Sequence, residues 1–163
     1  MIHRHRLNTS KRRARSAGFT LIEILGVVTI LGILAVASVT GFQNIVRDQR
    51  VRNYSFELFS NLVLARNEAI KRNGNVTITP AAGGWQNGWT ITSDTGQALK
   101  QQSRANGVAV AGAPASLVYN KSGRLTAAAA AFTINDSEAN AAYARCLRVD
   151  LSGLPRTAKG SCS

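Results

Sequence analysis

The sequence has few of the residue types on which catalytic and metal sites usually depend. Its 163 residues include two histidines, His3 and His5, and two cysteines, Cys146 and Cys162. Zinc sites are built mainly from these two residue types. There is also no acid pair at a suggestive spacing and no glycine-rich phosphate loop. We therefore expect no enzyme activity, no metal and no cofactor, although scattered serines and lysines leave a Ser–Lys dyad open.

Acidic residues are absent from the first 22 positions, and basic residues are concentrated there. Without residues 1–18, 14 basic and 8 acidic residues remain, so the net charge falls from +12 to +6. Half of the excess charge therefore belongs to an N-terminal segment, which weakens total charge as a sign of nucleic-acid binding. The basic residues of this segment are Arg4, Arg6, Lys11, Arg12, Arg13 and Arg15.

A long apolar run from Phe19 to Phe42 follows, and its single charge is Glu23. A helix of about 20 residues crosses a bilayer, and preceding basic residues favour a cytoplasmic N-terminus. Ordinary signal anchors share these features, and Ala35-Val36-Ala37 has the form of a secretory cleavage site. However, a carboxylate inside the apolar region is unusual for a signal peptide and, near a bilayer centre, costs several kcal/mol unless paired. We therefore expect Glu23 to be functional.

Gly18 closes the basic segment and is followed by Phe-Thr-Leu-Ile-Glu, which ends at Glu23. This unbroken run resembles the processing site of type IV prepilins and type II secretion pseudopilins. In that family, prepilin peptidase cuts after the glycine, the new N-terminal phenylalanine is methylated, and the glutamate guides helix packing in the filament. The resemblance implies these roles for Gly18, Phe19 and Glu23. It also implies a cleaved leader at 1–18 and an inner-membrane assembly helix at 19–42.

The segment from Gln43 to Arg72 contains neither proline nor glycine, and its pattern predicts an amphipathic helix. Asn73-Gly74 is a good C-terminal stop for this helix. Its apolar stripe, at spacings of three and four, comprises Val51, Ser55, Leu58, Leu62, Ala65 and Ala69, and it is widened by Phe59, Val63 and Ile70.

Short strands are predicted for the rest of the chain, because alternating apolar residues there are separated by turn residues. The first two strands form a predicted hairpin, and Trp85 and Trp89 are more typical of its core than of ligand binding. The predicted strands are 76–79, 89–92, 108–110, 117–119, 132–134 and 147–151.

A long N-terminal helix on an antiparallel sheet is an α+β fold that resembles the pilin fold. Three stretches, 57–72, 84–91 and 146–162, resemble the GspH/FimT group of minor pilins and pseudopilins. The resemblance implies a periplasmic domain at 43–163. It also implies a subunit that helps to prime the assembly and form the tip of a type IV pilus or a type II secretion pseudopilus. Its partners would be other minor and major pilins or pseudopilins, prepilin peptidase and the inner membrane. A Sec-exported soluble domain is a more distant alternative.

Both cysteines lie beyond the apolar run, on its periplasmic side. In an oxidising compartment, Cys146 and Cys162 predict a disulfide that closes a loop of 17 residues counted inclusively. Such a loop is worth about 3 kcal/mol in the chain-entropy model.

The predicted loop is basic and contains Arg148, Arg156 and Lys159. These residues form either a solvated surface or a phosphate-binding site. Some competence-related members of the FimT group resemble DNA receptors and carry Gly-Arg-x-Arg at this position. Here the residues are Gly-Leu-Pro-Arg, from Gly153 to Arg156, so one arginine is missing. The alternative function is therefore a DNA-binding minor pilin for natural transformation, for which we expect weak binding.

Overall fold

The structure is a computed structural model that describes residues 18–162, with residues 37–40 described by their backbone alone. In these residues one α-helix, α1, runs from Leu21 to Arg72, and eight strands follow it. The chain divides into two compact units between Thr40 and Gly41. The described part of the first unit is the beginning of α1 and the residues before it. The second unit contains the remainder of α1 and all eight strands.

The second part of α1 packs through one apolar face, as its periodicity predicts. Every residue of the predicted stripe from Val51 to Ala69 is buried, including the polar Ser55. Of the residues predicted to widen it, Phe59 and Val63 are half-buried, but Ile70 is exposed, so that part of the prediction was wrong. The helix ends at the predicted place, because Asn73 adopts a left-handed φ of 51°. The N–H groups of Asn73 and Gly74 donate to the carbonyls of Ile70 and Ala69, each at 3.2 Å. This pair of bonds is the Schellman motif, which satisfies the last helical carbonyls.

The strands form two antiparallel sheets of four strands each. The first sheet has the order β3-β2-β1-β5 and contains the predicted hairpin of β1 and β2. The second has the order β4-β6-β7-β8. The strands are β1 (Val76–Pro80), β2 (Trp89–Ser93), β3 (Ala98–Gln102), β4 (Val108–Ala111), β5 (Leu117–Tyr119), β6 (Ala130–Asp136), β7 (Arg145–Val149) and β8 (Pro155–Lys159).

All six predicted strands exist, with one shifted and two further strands missed. The strand predicted at 147–151 begins at Arg145 and ends at Val149. Asp150 instead starts a turn and accepts a bond from the Ser152 N–H at 2.9 Å. The missed strands, β3 and β8, are edge strands with mostly exposed residues. Such strands lack the apolar alternation that sequence patterns detect.

An aromatic cluster joins α1 to the strands in the core. Trp85 and Trp89 are both buried, which confirms the prediction that they are core residues. The Trp85 ring meets the Phe132 ring of β6 edge-on at 4.9 Å, and Tyr54 of α1 meets Trp89 edge-on at 5.7 Å. The Tyr54 hydroxyl donates to the Trp85 carbonyl at 2.8 Å, and burial raises the pKa of this phenol. The cluster therefore contains residues of α1 and of both sheets.

Candidate functional site

The predicted processing site lies just before the first turn of α1. Residues 18–20 have no regular secondary structure, and the Phe19 side chain is 74% exposed. A Cβ added at Gly18 would meet nothing within 4 Å. The bond between Gly18 and Phe19 is therefore outside the helix, and nothing in the described fold requires glycine at position 18. The remainder of the expected leader, 1–17, lies outside the described residues.

Glu23 takes part in a capping box at the start of α1. Its backbone N–H donates to the Thr20 hydroxyl oxygen at 3.3 Å, and its carboxylate accepts from the Thr20 N–H at 3.5 Å. This reciprocal arrangement satisfies backbone donors that a helix start otherwise leaves without partners. The role of Thr20 was not predicted, although Thr-x-x-Glu before an apolar run is the sequence signature of this motif. The second bond is long, so the carboxylate is only weakly held.

The part of α1 after Glu23 presents an exposed apolar surface. Every large apolar residue described from Leu21 to Val36 is exposed, most of them by more than half. In the described residues no single uninterrupted helix has the length and composition of a membrane span, and the two parts of α1, Leu21–Val36 and Gly41–Arg72, pass this test only when taken together. Burying this surface requires an apolar surrounding, such as other helices or a membrane.

The structure confirms the Cys146–Cys162 disulfide. The Cα atoms of the two cysteines are 4.9 Å apart, inside the usual range. The Cys162 N–H also donates to the Thr133 hydroxyl at 3.1 Å, and Thr133 is the cross-strand partner of Cys146. The residues after β8 are thus fixed across β6 and β7. Because the neighbouring Phe132 and Leu147 are fully buried, this is the sheet face turned away from the core.

Two of the three predicted phosphate-binding side chains come together on that same face. Arg148 of β7 and Arg156 of β8 are direct cross-strand partners, and both are exposed. They line a cavity of about 650 Å³ together with Asp150. A hydrogen bond from the Ser152 hydroxyl, helped by nearby Arg156, holds the pKa of the Asp150 carboxyl below its ordinary value. Lys159 also lines this cavity. However, it lies opposite Arg145, so it belongs to the other face of the sheet from Arg148 and Arg156.

The glycine retained from the Gly-Arg-x-Arg pattern has a packing role. Gly153 has a φ of 79°, and a Cβ there would lie 2.0 Å from the Gly123 carbonyl oxygen. That same oxygen accepts a bond from Arg66 of α1 at 2.9 Å. Gly153 is therefore required where the turn after β7 meets the turn after β5. Its presence indicates this packing and carries no information about DNA.

The long helix on antiparallel sheets, preceded by a glycine-phenylalanine junction, defines a pilin-like protein. The family described as type II transport protein GspH matches residues 57–153, and the prokaryotic N-terminal methylation motif matches residues 13–39. Because the first match covers more than half of the sequence, the chain belongs to the GspH family of minor pilins and pseudopilins. The motif and the family together imply a membrane-anchored filament subunit.

Solved structures share this fold. The type IV minor pilin FimU of Pseudomonas aeruginosa is 20% identical, with a TM-score of 0.59 over 68% of this chain and 89% of that chain. The minor pseudopilin EpsH of the Vibrio cholerae type 2 secretion system is 17% identical, with a TM-score of 0.55 over 68% of this chain and 97% of that chain. No curated protein matches the sequence significantly. At these identities the likeness establishes the α+β pilin fold.

Proposed function

We propose that the chain is a minor subunit that is cut after Gly18, methylated at Phe19 and packed into a filament through Glu23. In this role it primes assembly and occupies the tip of a type IV pilus or a type II secretion pseudopilus. The observation that carries the proposal is the exposed apolar segment Leu21–Val36, which bears a single carboxylate in its first turn. Such a surface needs apolar neighbours, and such a carboxylate needs a cation.

Cleavage would supply that cation. The new N-terminus at Phe19 is an ammonium group, and a neighbouring subunit's Glu23 is the partner with the opposite charge. The Thr20 N–H that Glu23 now contacts, at 3.5 Å, is a weaker competitor than an ammonium in an apolar surrounding. A helix in the wrong register would leave one charge buried and unpaired, so the pair selects the register. Before assembly, residues 19–42 would lie in the inner membrane with domain 43–163 in the periplasm.

Two substitutions at Glu23 separate its capping role from its charge. Glutamine also serves in a capping box, so Glu23→Gln keeps the helix start but removes the negative charge. Glu23→Ala removes both. In a strain without the native gene, we expect both variants to lower the incorporation of this subunit into filaments to a similar extent. The measurement is the amount of subunit in sheared filaments relative to the amount in membranes.

Wild-type incorporation of Glu23→Gln together with loss for Glu23→Ala would contradict the charge-pairing proposal and assign Glu23 to capping. The unfolding transition of domain 43–163 serves as the control. It is expected to be unchanged in both variants, because the bonds that Glu23 makes through its carboxylate and its N–H are with Thr20.

A second candidate function, weak DNA binding, is supported by the cross-strand pair of Arg148 and Arg156. Guanidinium groups on adjacent strands suit successive phosphates. The full chain in detergent micelles is expected to bind duplex DNA weakly, with affinity falling as salt rises. Replacing both arginines with alanine should lower the slope of log K against log salt by about 0.9 per lost contact. Lys100→Ala on β3 is the matched control, and an equal effect there would contradict a defined site.

A further inference from the structure

The open edge of β8 presents a defined set of backbone groups. In the described residues, β8 ends the second sheet and pairs with β7 alone. The Gly160 N–H donates to the Ala144 carbonyl at 2.8 Å, just beyond the paired residues Lys159 and Arg145. Antiparallel ladders alternate hydrogen-bonded and non-hydrogen-bonded pairs. Ala158 and Arg156 therefore bond to β7, whereas the N–H and C=O groups of Thr157 and Lys159 point outward.

Pro155 agrees with this assignment. It lies opposite Val149, two positions before Thr157, and so also occupies an outward-pointing position. A proline has no N–H to donate, so this end of β8 loses no bond to β7. The edge thus offers two N–H donors and three carbonyl acceptors, from Pro155, Thr157 and Lys159, in the spacing that an added strand requires.

A groove runs beside this edge on the side that faces α1. Its cavity of about 360 Å³ is lined by Phe56 and Phe59 of α1 and by Thr157 of β8, with the buried Ser55 also contributing. Phe56 is 71% exposed, although it lies on a helix that otherwise buries its neighbouring apolar face. An added strand would point every second side chain into this groove. Apolar side chains at those positions would cover Phe56.

The charges beside the edge favour an acidic occupant. On the opposite face, the alternate side chains of an added strand would approach Arg156 and its partner Arg148, which outnumber the one acid lining the same cavity, Asp150. On the groove side, Lys159 and Arg52 are both exposed. The acid on this side is Asp48, which already bonds to Arg52 at 2.9 Å and to Arg145 at 2.8 Å. A second copy of this edge would bring the same positive charges together, which disfavours self-pairing.

We propose that β8 takes up an extended segment of a partner protein as an additional strand, with acidic residues facing Arg148 and Arg156 and apolar residues facing Phe56. This is β-strand addition, in which backbone bonds give affinity and alternate side chains give specificity. The proposal is independent of the tip role and of Glu23, because it uses only residues of the second unit.

The test uses a fluorescently labelled seven-residue peptide of alternating glutamate and valine and the full chain in detergent micelles. Fluorescence anisotropy measures binding. A second peptide of the same sequence carries N-methyl groups on alternate amides, which keeps the charge but removes backbone donors. Thr157→Pro removes one outward N–H without breaking the bonds between β7 and β8. Its matched control is Ala98→Pro on β3. Ala98 lies opposite Thr92, and the next residues along the two strands are hydrogen-bonded, because the Ser93 N–H donates to the Gln97 carbonyl. Ala98 therefore also occupies a non-hydrogen-bonded edge position.

We expect the unmodified peptide to bind at least about tenfold more tightly than the N-methylated one. Thr157→Pro should weaken binding by a similar factor, and Ala98→Pro should not. Equal binding of the two peptides would overturn the proposal, because it would mean charge attraction without an added strand. Dimerisation of the wild-type chain that Thr157→Pro abolishes would also overturn it, since a second copy would then occupy the edge. The peptide comparison uses the wild-type chain alone and does not depend on how the variants fold.

Discussion

The two parts of α1 have the same backbone conformation but differ in whether their apolar side chains are exposed or buried. From Leu21 to Val36 the large apolar residues are exposed, whereas from Val51 to Ala69 one apolar face is completely buried. Apart from Glu23 and Thr29, the first part is apolar on all sides, and the second has polar residues opposite its buried stripe. A helix of the first kind needs a surrounding apolar medium or other helices, and one of the second kind needs a single packing surface. The sheets of the second unit provide that single packing surface for the second part.

The difference between the two parts should be affected most by a change at Gly18, the residue after which the proposed cleavage occurs. Gly18→Leu is expected to leave the precursor uncut, although the described fold has room for the side chain. Intact-mass analysis of membrane protein should find wild-type chains that begin at Phe19 with an added methyl group, and uncut Gly18→Leu chains. A wild-type protein that begins after Ala37 would instead indicate secretory cleavage and contradict the pilin processing site.

Matched leucine substitutions sharpen the comparison between the two parts. Leu58 is fully buried, and Leu58→Ala should lower the free energy of unfolding of the second unit by about 2–5 kcal/mol. Leu31 is 58% exposed, and Leu31→Ala should change that free energy by less than about 0.5 kcal/mol. Denaturant titration of both variants in the same detergent gives the two values. Similar losses would mean that the first part also stabilises the domain.

Acid sensitivity of the second unit should be a small effect. A hydrogen bond from Arg47 of α1 lowers the pKa of Glu138 from its ordinary value of 4.5. A carboxyl with a lowered pKa in the folded state stabilises the fold above its unfolded pKa and loses this contribution as pH falls through the folded value. The melting temperature should therefore fall below about pH 4.5, and by slightly less in Glu138→Gln. An identical fall in the variant would show that this ion pair contributes nothing, as exposed pairs often do.

Sequence alone was sufficient where one strong local signal acts. The stripe from Val51 to Ala69, the stop at Asn73-Gly74 and the cysteine pair each depend on residue type and spacing, and all three are confirmed. The sequence did not predict β8, because an exposed edge strand lacks the alternation of apolar and polar residues. It also could not indicate that Lys159 pairs with Arg145 while Arg148 pairs with Arg156, since register depends on the turn between the strands.

The contact between Gly123 and Gly153 has a consequence for how this sequence can diverge. At this point a single carbonyl oxygen meets the backbone of a second turn and the Arg66 side chain of α1. Any side chain at Gly153 would push apart two turns and a helix at once, so no compensating change at one neighbour restores the fit. Exposed turns such as that at Gly96 have open space around them and are free to vary or lengthen. In distant relatives, insertions should therefore accumulate at such turns, while the distance along the chain from Gly123 to Gly153 can change only if both turns still meet.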